Sequence, residues 1–323
     1  SLGLVGSEMC IRDSPGRWPV TVSTPYIEQV RLLVAILPSV AKQPCFALKG
    51  GTAINLFVRN MPRLSVDIDL AYLPVEDRSG SLAAIDLALQ AIASDIERHV
   101  PRARVKASVL KGTDKRFKLL VWQRKHSVKI EVTPVLRGSV YPPENRELSP
   151  RAADVFGFAC MPVMNFADLY AGKICAALDR QHPRDLYDAF WLLEREGIDE
   201  QLKNAFLVYL MSHNRPMAEL LAPKAQDLES LYRTELMGMV ETPVNLDQLQ
   251  DTLPRLVTAI HTAMTNSDKR FLLAFKQGIQ DWRNFSFPEA ERLPAIQWKM
   301  VNLARMQPAK RRQSTNKLKT ILF

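Results

Sequence analysis

The spacing of the apolar residues changes once along this sequence, near residue 165, and that change limits the folds the chain can adopt. Before it, short apolar segments of strand length alternate with two segments of helical spacing, Pro25–Ala41 and 81–99. From Phe166 onward the spacing is helical almost throughout and is interrupted mainly at prolines. The pattern predicts an α+β fold in which a mixed sheet with helices is followed by an all-helical part.

The front part has several segments with the composition and length of β-strands. They cover Cys45–Leu48, Ser65–Tyr72, Arg104–Leu110, Phe117–Gln123, Val128–Val135 and, after a loop over 138–153, Phe156–Met161. A short helix over Ala53–Arg59 is predicted between the first two strands. Turn residues at 112–114 and 124–126 separate the three central strands, which is typical of an antiparallel meander.

Composition and cysteine usage narrow the class of protein. With 323 residues, of which 47% are hydrophobic, the chain can bury a large core. No segment has the roughly 20 uninterrupted apolar residues that a membrane span needs. The four cysteines lie far apart and form no C-x-x-C pair. This argues against a zinc site or a disulfide framework and favours a reducing, cytoplasmic location.

The two ends of the chain differ from the rest. Residues 1–14 lack an initiator methionine and any regular period, and they resemble a translated sequencing adaptor, so they are left out of the fold prediction. The net charge is +9, and the last fourteen residues hold five basic side chains and no acidic one. Such an end either contacts phosphate backbones or is a solvated, disordered tail. The predicted limits are 20–165 for the sheet-containing part, 166–306 for the helical part and 307–323 for the basic tail.

Asp67 and Asp69 are the first candidates for chemistry. In a strand, side chains two residues apart share a face, so both carboxylates point the same way and repel each other. A Mg²⁺ ion relieves such repulsion, because it takes oxygen ligands and commonly uses one or two carboxylates together with substrate phosphates. A solvated strand face would give the same pattern.

Glu131 repeats this arrangement on the last meander strand. It alternates with buried-type residues, Ile130 and Val132, and lies beside the aspartates if the two strands are neighbours. It would then hold a metal as a third carboxylate or accept a proton from an attacking hydroxyl. A plain exposed strand face is the alternative interpretation.

The segment Gly50-Gly51-Thr52 lies between a predicted strand and a predicted helix. Glycines let the backbone approach a phosphate closely, and a helix N-terminus offers free N–H groups. A simple turn has the same composition, so the segment gains meaning from its position before Asp67.

A lysine and an aspartate are conspicuous in the first two helices of the back part. Lys173 falls on the apolar side of its predicted helix, where a lysine either meets an anion, here a nucleotide phosphate, or extends its ammonium to solvent. Gly172 beside it suggests a close approach of another group. Asp185 begins the next helix, where an acid is also favoured by the helix dipole alone. Arg184 is either a ligand-binding residue or a solvated charge.

These motifs, in this order, resemble the AbiEii-type nucleotidyltransferase toxins of bacterial type IV toxin–antitoxin and phage-defence systems. The resemblance rests on Leu48-Lys-Gly-Gly-Thr-Ala-Ile-Asn-Leu, Arg63-Leu-Ser-Val-Asp-Ile-Asp-Leu, Asp168-Leu-Tyr-Ala-Gly-Lys-Ile-Cys-Ala and the set Arg180, Arg184-Asp185 and Asp188. It covers about residues 46–195.

The resemblance implies a polymerase-β-like nucleotidyltransferase fold and an enzyme that transfers NMP from an NTP to an acceptor, for some relatives the 3′ end of tRNA. It also implies roles for particular residues. By position, Gly51 and Thr52 would hold the triphosphate, Asp67 and Asp69 the metal, and Lys173 the phosphates, with Asp185 as a second essential acid. Together with the residue patterns described above, the predicted site adds Gly50, Ser65 and Arg184 as nucleotide-binding residues and Glu131 as a third metal-binding and catalytic carboxylate. The expected partners are NTP, an RNA acceptor and a cognate antitoxin, with no membrane.

Two other functions stay open at this point. One is a nucleotidyltransferase that modifies a protein side chain, as AMP-transferases do. The other is a binding protein whose catalytic site has decayed, which intact Asp67, Asp69, Lys173 and Asp185 argue against. A DNA-binding regulator has no support, because no convincing helix-turn-helix pattern is present.

Overall fold

The computed structural model describes residues 23–323, so the prediction for residues 1–14 lies outside the described residues. Within residues 23–323 the front part forms one seven-stranded mixed sheet. In chain order its strands are β1 (Phe46–Lys49), β2 (Asp67–Tyr72), β3 (Ala103–Val109), β4 (Arg116–Gln123), β5 (His126–Arg137), β6 (Glu144–Glu147) and β7 (Cys160–Val163). Their order across the sheet is β3-β4-β5-β2-β1-β7-β6.

Helices flank the sheet in the front part and make up the back part, as the change of spacing predicted. The α-helices are α1 (Thr24–Ala41), α2 (Gly50–Thr52), α3 (Arg78–His99), α4 (Pro150–Phe156), α5 (Phe166–Arg180), α6 (Pro183–Arg195), α7 (Glu200–Ser212), α8 (Met217–Leu221), α9 (Glu229–Glu235), α10 (Leu246–Ala263), α11 (Asn266–Gln277), α12 (Pro294–Ala304) and α13 (Pro308–Leu322). A π-helical segment, Ala53–Val58, continues α2, and 3₁₀ turns cover Met237–Met239, Trp282–Asn284 and Pro288–Arg292. Among the described helices, none is long and apolar enough to cross a membrane.

The sheet places β2 at its centre, between β1 on one side and β5 on the other. The β3-β4-β5 meander is antiparallel, as predicted, whereas β2 runs parallel to β5. Ile68 and Leu70 are fully buried on the face that packs against helices, where Ile130 and Val132 of β5 join them. The alternating residues of β2 and β5 therefore occupy the opposite face, and this face carries the candidate site.

Residues 138–163 differ from the prediction. The predicted loop over 138–153 contains β6 and the start of α4, and the strand predicted over Phe156–Met161 is instead the end of α4 followed by β7. Pro150 begins α4 at a position where its missing N–H costs nothing, and Gly157, with φ at +91°, ends it. The strand then begins four residues later than predicted, and Val163 pairs with Leu48 of β1.

The basic C-terminal segment is an ordered helix, so the interpretation as a disordered tail was wrong. Thr315, Leu318 and Leu322 lie three and four residues apart and are buried, because α13 packs one face against α8 and α11. Its basic side chains project mostly from the other faces.

Candidate active site

A cleft of about 550 Å³ opens between the sheet face described above and the helices α5, α6 and α7. Among the side chains that line it are Lys49, Ser65, Asp67, Asp69, Lys129, Glu131, Lys173, Arg180, Arg184, Asp185, Tyr209 and His213. Gly50 and Gly51 also contribute to its wall. Of the residues that the sequence singled out for the site, all except Thr52 line this one cleft.

Strand register brings the three predicted carboxylates together. Asp69 lies directly beside Glu131 across the β2–β5 pair, and Asp67 lies beside Lys129. Burial raises the pKa of Asp67; the charge of Lys129 opposes this shift and that of Asp69 adds to it. The carboxylates on this face repel one another, and a bound cation would relieve that repulsion.

Lys129 is the cation that balances these carboxylates in the structure. Its Nζ lies 3.1 Å from Glu131 Oε2 and 4.0 Å from Asp67 Oδ2. Sequence reasoning missed it, although its alternation with Glu131 along β5 placed it on the same strand face. Glu131 is thus a carboxylate that holds a lysine next to Asp67, as well as a candidate metal ligand.

Lys49 is a second site residue that sequence reasoning missed. It ends β1, one residue beyond the predicted strand, and pairs with Asp69 across the β1–β2 ladder. Its ammonium donates a hydrogen bond to Thr133 Oγ1 at 2.8 Å. Burial lowers the pKa of Lys49, and the charges of Asp69 and Glu131 oppose that shift.

The glycine pair lets the backbone pass close to the site. Gly50 has φ at +73°, and a Cβ built on it would lie 2.6 Å from Asp69 Oδ2. A Cβ on Gly51 would lie 2.9 Å from Ser65 Oγ. Any side chain at either position would therefore displace groups that line the cleft.

Thr52 lies behind the cleft wall and is buried. Its Oγ1 is 3.0 Å from Ser65 Oγ and donates to the backbone carbonyl of Asp67. These contacts fix the start of β2, so Thr52 acts in the structure by positioning Ser65 and Asp67.

Lys173 contacts anions, as expected for a lysine on an apolar helix face, but these anions belong to the protein. Its Nζ lies 2.7 Å from Asp185 Oδ1 and 3.0 Å from Asp188 Oδ2. Arg180 donates to the other oxygen of Asp185 at 2.6 Å. Burial alone would raise the pKa of Asp185, but Lys173 and Arg180 hold it well below its usual range. Gly172 provides the close approach that its presence suggested, because Tyr209 of α7 packs against it.

Asp188 joins this group to the sheet-containing part. It accepts two hydrogen bonds from Arg63, at 2.8 and 2.6 Å, and one from Asn55 at 3.2 Å. Arg63 and Asp188 are both almost completely buried. The charges of Asp185, Asp188, Lys173, Arg63 and Arg180 thus form one connected network at the base of the cleft, which we name the ion network.

Two further residues, Arg184 and Asp168, also line the cleft. Arg184 pairs with Glu235 at 3.3 Å and still lines the cleft, where its charge opposes the raised pKa of Asp67. Asp168 is buried, and burial raises its pKa to about 6, although the backbone amides of Val140 and Tyr141 donate to it.

The donor set on β2 suits Mg²⁺. Among residues 23–323, no three His, Cys, Asp or Glu side chains converge closely enough to hold a metal by themselves. Mg²⁺ is commonly held by one or two carboxylates and completed by substrate phosphates and water. Asp67 and Asp69 supply two such carboxylates, directly beside backbone that can admit a phosphate.

Comparison with known proteins identifies the family. The family model of the nucleotidyltransferase AbiEii toxin of type IV toxin–antitoxin systems matches residues 31–301. A solved structure of MenT4, a nucleotidyltransferase toxin from Mycobacterium tuberculosis H37Rv, shares the fold, with a TM-score of 0.54, 17% sequence identity and 92% of each chain covered. A search of curated protein sequences found no match. The match over most of the chain establishes that this protein is a nucleotidyltransferase and belongs to the AbiEii toxin family.

Proposed function

We propose that this enzyme transfers NMP from an NTP to an RNA acceptor, specifically the 3′ end of a tRNA, and that the transfer depends on Mg²⁺. The observation that carries the proposal is the pair Asp67 and Asp69 on one strand face, with Glu131 beside Asp69, in the wall of a cleft large enough for a nucleotide. The basic chain favours a polyanionic acceptor. Membership of a type IV toxin–antitoxin family implies a cognate antitoxin as well.

In this proposal, different residues of the cleft bind the triphosphate, hold Mg²⁺ and supply positive charge. The backbone at Gly50 and Gly51, together with Ser65, receives the triphosphate. Asp67 and Asp69 hold Mg²⁺, which when bound neutralises negative charge on the phosphate oxygens. Arg184 and Arg180 add positive charge at the rim.

The reaction forms a bond between the acceptor hydroxyl oxygen and the α-phosphorus and breaks the bond to pyrophosphate, which leaves. The hydroxyl proton needs an acceptor near β2, and Glu131 is the nearest carboxylate beside Asp69. Lys173 is neutralised by Asp185 and Asp188 in the structure. Its part in the proposal is to hold Asp185 and the ion network in place under the substrate.

A transfer assay tests this function directly. Residues 15–323 are incubated with Mg²⁺, total bacterial RNA and each α-³²P-labelled NTP in turn, and RNA and protein fractions are resolved. We expect label in tRNA-sized RNA from one NTP, with none when EDTA is present. Label in a protein band instead would identify a protein-modifying enzyme and refute the RNA acceptor. Absence of transfer to either, with NTP still bound, would refute the catalytic proposal in favour of a decayed site.

Substitution of Gly50 tests whether the close approach to Asp69 matters. Gly50→Ala would place a Cβ 2.6 Å from Asp69 Oδ2, and we expect transfer to fall at least tenfold, which corresponds to about 1.4 kcal/mol of transition-state stabilisation. Gly157→Ala is a matched control, because Gly157 also has positive φ but has no atom within 4 Å of the built Cβ. Both variants share the backbone strain, so equal activities in the transfer assay would show that the contact with Asp69 is unimportant.

A further inference from the structure

The positive charge of this protein is concentrated in the β3-β4-β5 meander. Residues 103–137, which form the meander, contain ten lysines and arginines and two acidic residues, so the net charge of this segment is +8. The net charge of the whole chain is +9, so this one segment holds nearly all of the protein's excess of positive charge. A segment so charged is a candidate electrostatic footprint for a polyanion.

Strand register shows which side of the sheet carries part of this charge. Leu119 and Val121 of β4 are fully buried on the face covered by α3. The alternate residues, Lys118, Leu120 and Trp122, therefore lie on the opposite face, which is the face of the catalytic carboxylates. Lys118 in fact pairs directly with Glu131.

The edge strand β3 extends the same face. Lys106 pairs with Leu120, and Arg104 pairs with Trp122, so these side chains share the carboxylate face too. Arg104 and Lys106 are exposed, and Trp122 is half-buried. In the part of the chain that the structure describes, no ion pair is recorded for Arg104, Lys106 or Lys118. We name Arg104, Lys106, Lys118 and Trp122 the basic platform.

The basic platform is continuous with the active site. Asp67, Lys129, Leu120 and Lys106 lie in one row across four neighbouring strands. Three strand spacings of about 4.8 Å each put the two ends of this row roughly 14 Å apart. A chain whose terminal hydroxyl sits at the carboxylates would therefore run outward across the platform within a few nucleotides.

We infer that the basic platform binds the single-stranded 3′ end of the RNA acceptor, with phosphates at the cations and a base stacked on Trp122. Open sheet faces that combine cations with an aromatic side chain suit single-stranded nucleic acid, because every base offers a face for stacking. A protein partner would need several apolar anchors, and here only Leu120 and Trp122 lie among the charged side chains on this face of β3 and β4. The inference rests on the proposed function and assigns the acceptor to a specific surface.

The test uses the 15–323 chain with two platform variants and a control. Arg104→Gln/Lys106→Gln removes two exposed charges from the edge strand, and Trp122→Ala removes the stacking face. Lys310→Gln/Arg312→Gln removes two exposed charges from α13 and leaves the platform intact. Binding of a fluorescein-labelled single-stranded 12-nucleotide RNA is measured by anisotropy across a salt series. KM for total tRNA, KM for NTP and kcat are measured in the transfer assay.

We expect each platform variant to bind the RNA at least tenfold more weakly, with KM for tRNA raised and with kcat and KM for NTP unchanged. The double variant should also reduce the slope of log K against log salt by about 1.4, since each lost phosphate contact with a single strand contributes about 0.7. The α13 control should behave like the wild type.

Other outcomes separate this inference from the proposed function. If wild type labels tRNA and the platform variants do so with unchanged KM, the acceptor lies elsewhere and the inference is overturned while the function stands. If the α13 control weakens binding as much as the platform variants do, general charge and not this surface is responsible. If wild type binds no RNA and labels protein, both the acceptor proposal and the platform fail.

Discussion

Replacing Asp67 by alanine is expected to lower NMP transfer about a thousandfold or more while leaving the fold intact. A carboxylate that holds a metal at a phosphoryl centre contributes several kcal/mol to transition-state stabilisation, and each 1.36 kcal/mol is a factor of ten in rate. The side chain of Asp67 is 39% exposed, and its cationic neighbour Lys129 lies 4.0 Å away. Its removal also relieves repulsion with Asp69, so the free energy of unfolding should not fall.

The measurement compares initial rates of transfer and thermal unfolding of the same preparations. Asp114→Ala is the control, since Asp114 is a solvated acid on the turn between β3 and β4. Its transfer rate should equal that of wild type. A wild-type rate in Asp67→Ala would show that the carboxylates on β2 are not the catalytic ones.

Removal of Asp188 is expected to have the largest effect on stability. Asp188→Ala leaves Arg63 buried without its counter-charge, and breaking such a buried pair costs about 3–5 kcal/mol. Burial alone would raise the pKa of Asp188, but Arg63 and Lys173 keep it below its usual value, so the carboxylate is charged when the protein folds. The native state should therefore lose much of its stability at neutral pH.

Urea unfolding followed by circular dichroism measures this loss as a change in the free energy of unfolding. Glu229→Ala is the matched control, because it removes one acid from an exposed pair with Arg233 on α9. Exposed pairs contribute about 0.2–1 kcal/mol. A loss below about 1 kcal/mol for Asp188→Ala as well would mean that the ion network does not stabilise the fold.

The sequence was most informative about which face of a strand a side chain occupies, because the two-residue alternation alone determines this. Alternation along β2 and β5 placed Asp67, Asp69 and Glu131 on strand faces, and the structure brings all three to one face of the sheet. That β2 and β5 are neighbours could only be assumed, because no turn or spacing in the sequence predicts the parallel pairing of two distant strands.

Contacts across long separations could not be predicted from patterns. Arg63 and Asp188 are 125 residues apart in sequence, and each alone resembles an ordinary surface charge. Lys173 was recognised as unusual, but the identity of its anions depended on this same packing. Thr52 illustrates the converse, since its motif suggested a ligand contact whereas its hydroxyl serves the backbone of β2.

From the sequence alone, the basic charge of the C-terminal segment is easier to notice than that of the β3-β4-β5 meander. The fourteen C-terminal residues form an evident basic segment, because five basic side chains lie close together in the sequence with no acidic residue among them. The larger excess in residues 103–137 is spread over three strands and their turns, and along the strands alternation distributes it between two faces. Only strand register shows which members of it share the face of Asp67.

The ion network has a consequence for the modularity of this enzyme. Arg63 lies before residue 165 and Asp188 after it, and a second pair, Arg59 with Glu196, crosses the same boundary at 2.5 Å. A fragment ending at residue 165 would leave both guanidinium groups without their acidic partners, so the strand that carries Asp67 and Asp69 depends on helices encoded far downstream. The two parts should unfold in a single transition. A helical part grafted from another protein would support β2 only if it brought its own buried acid to the position of Asp188.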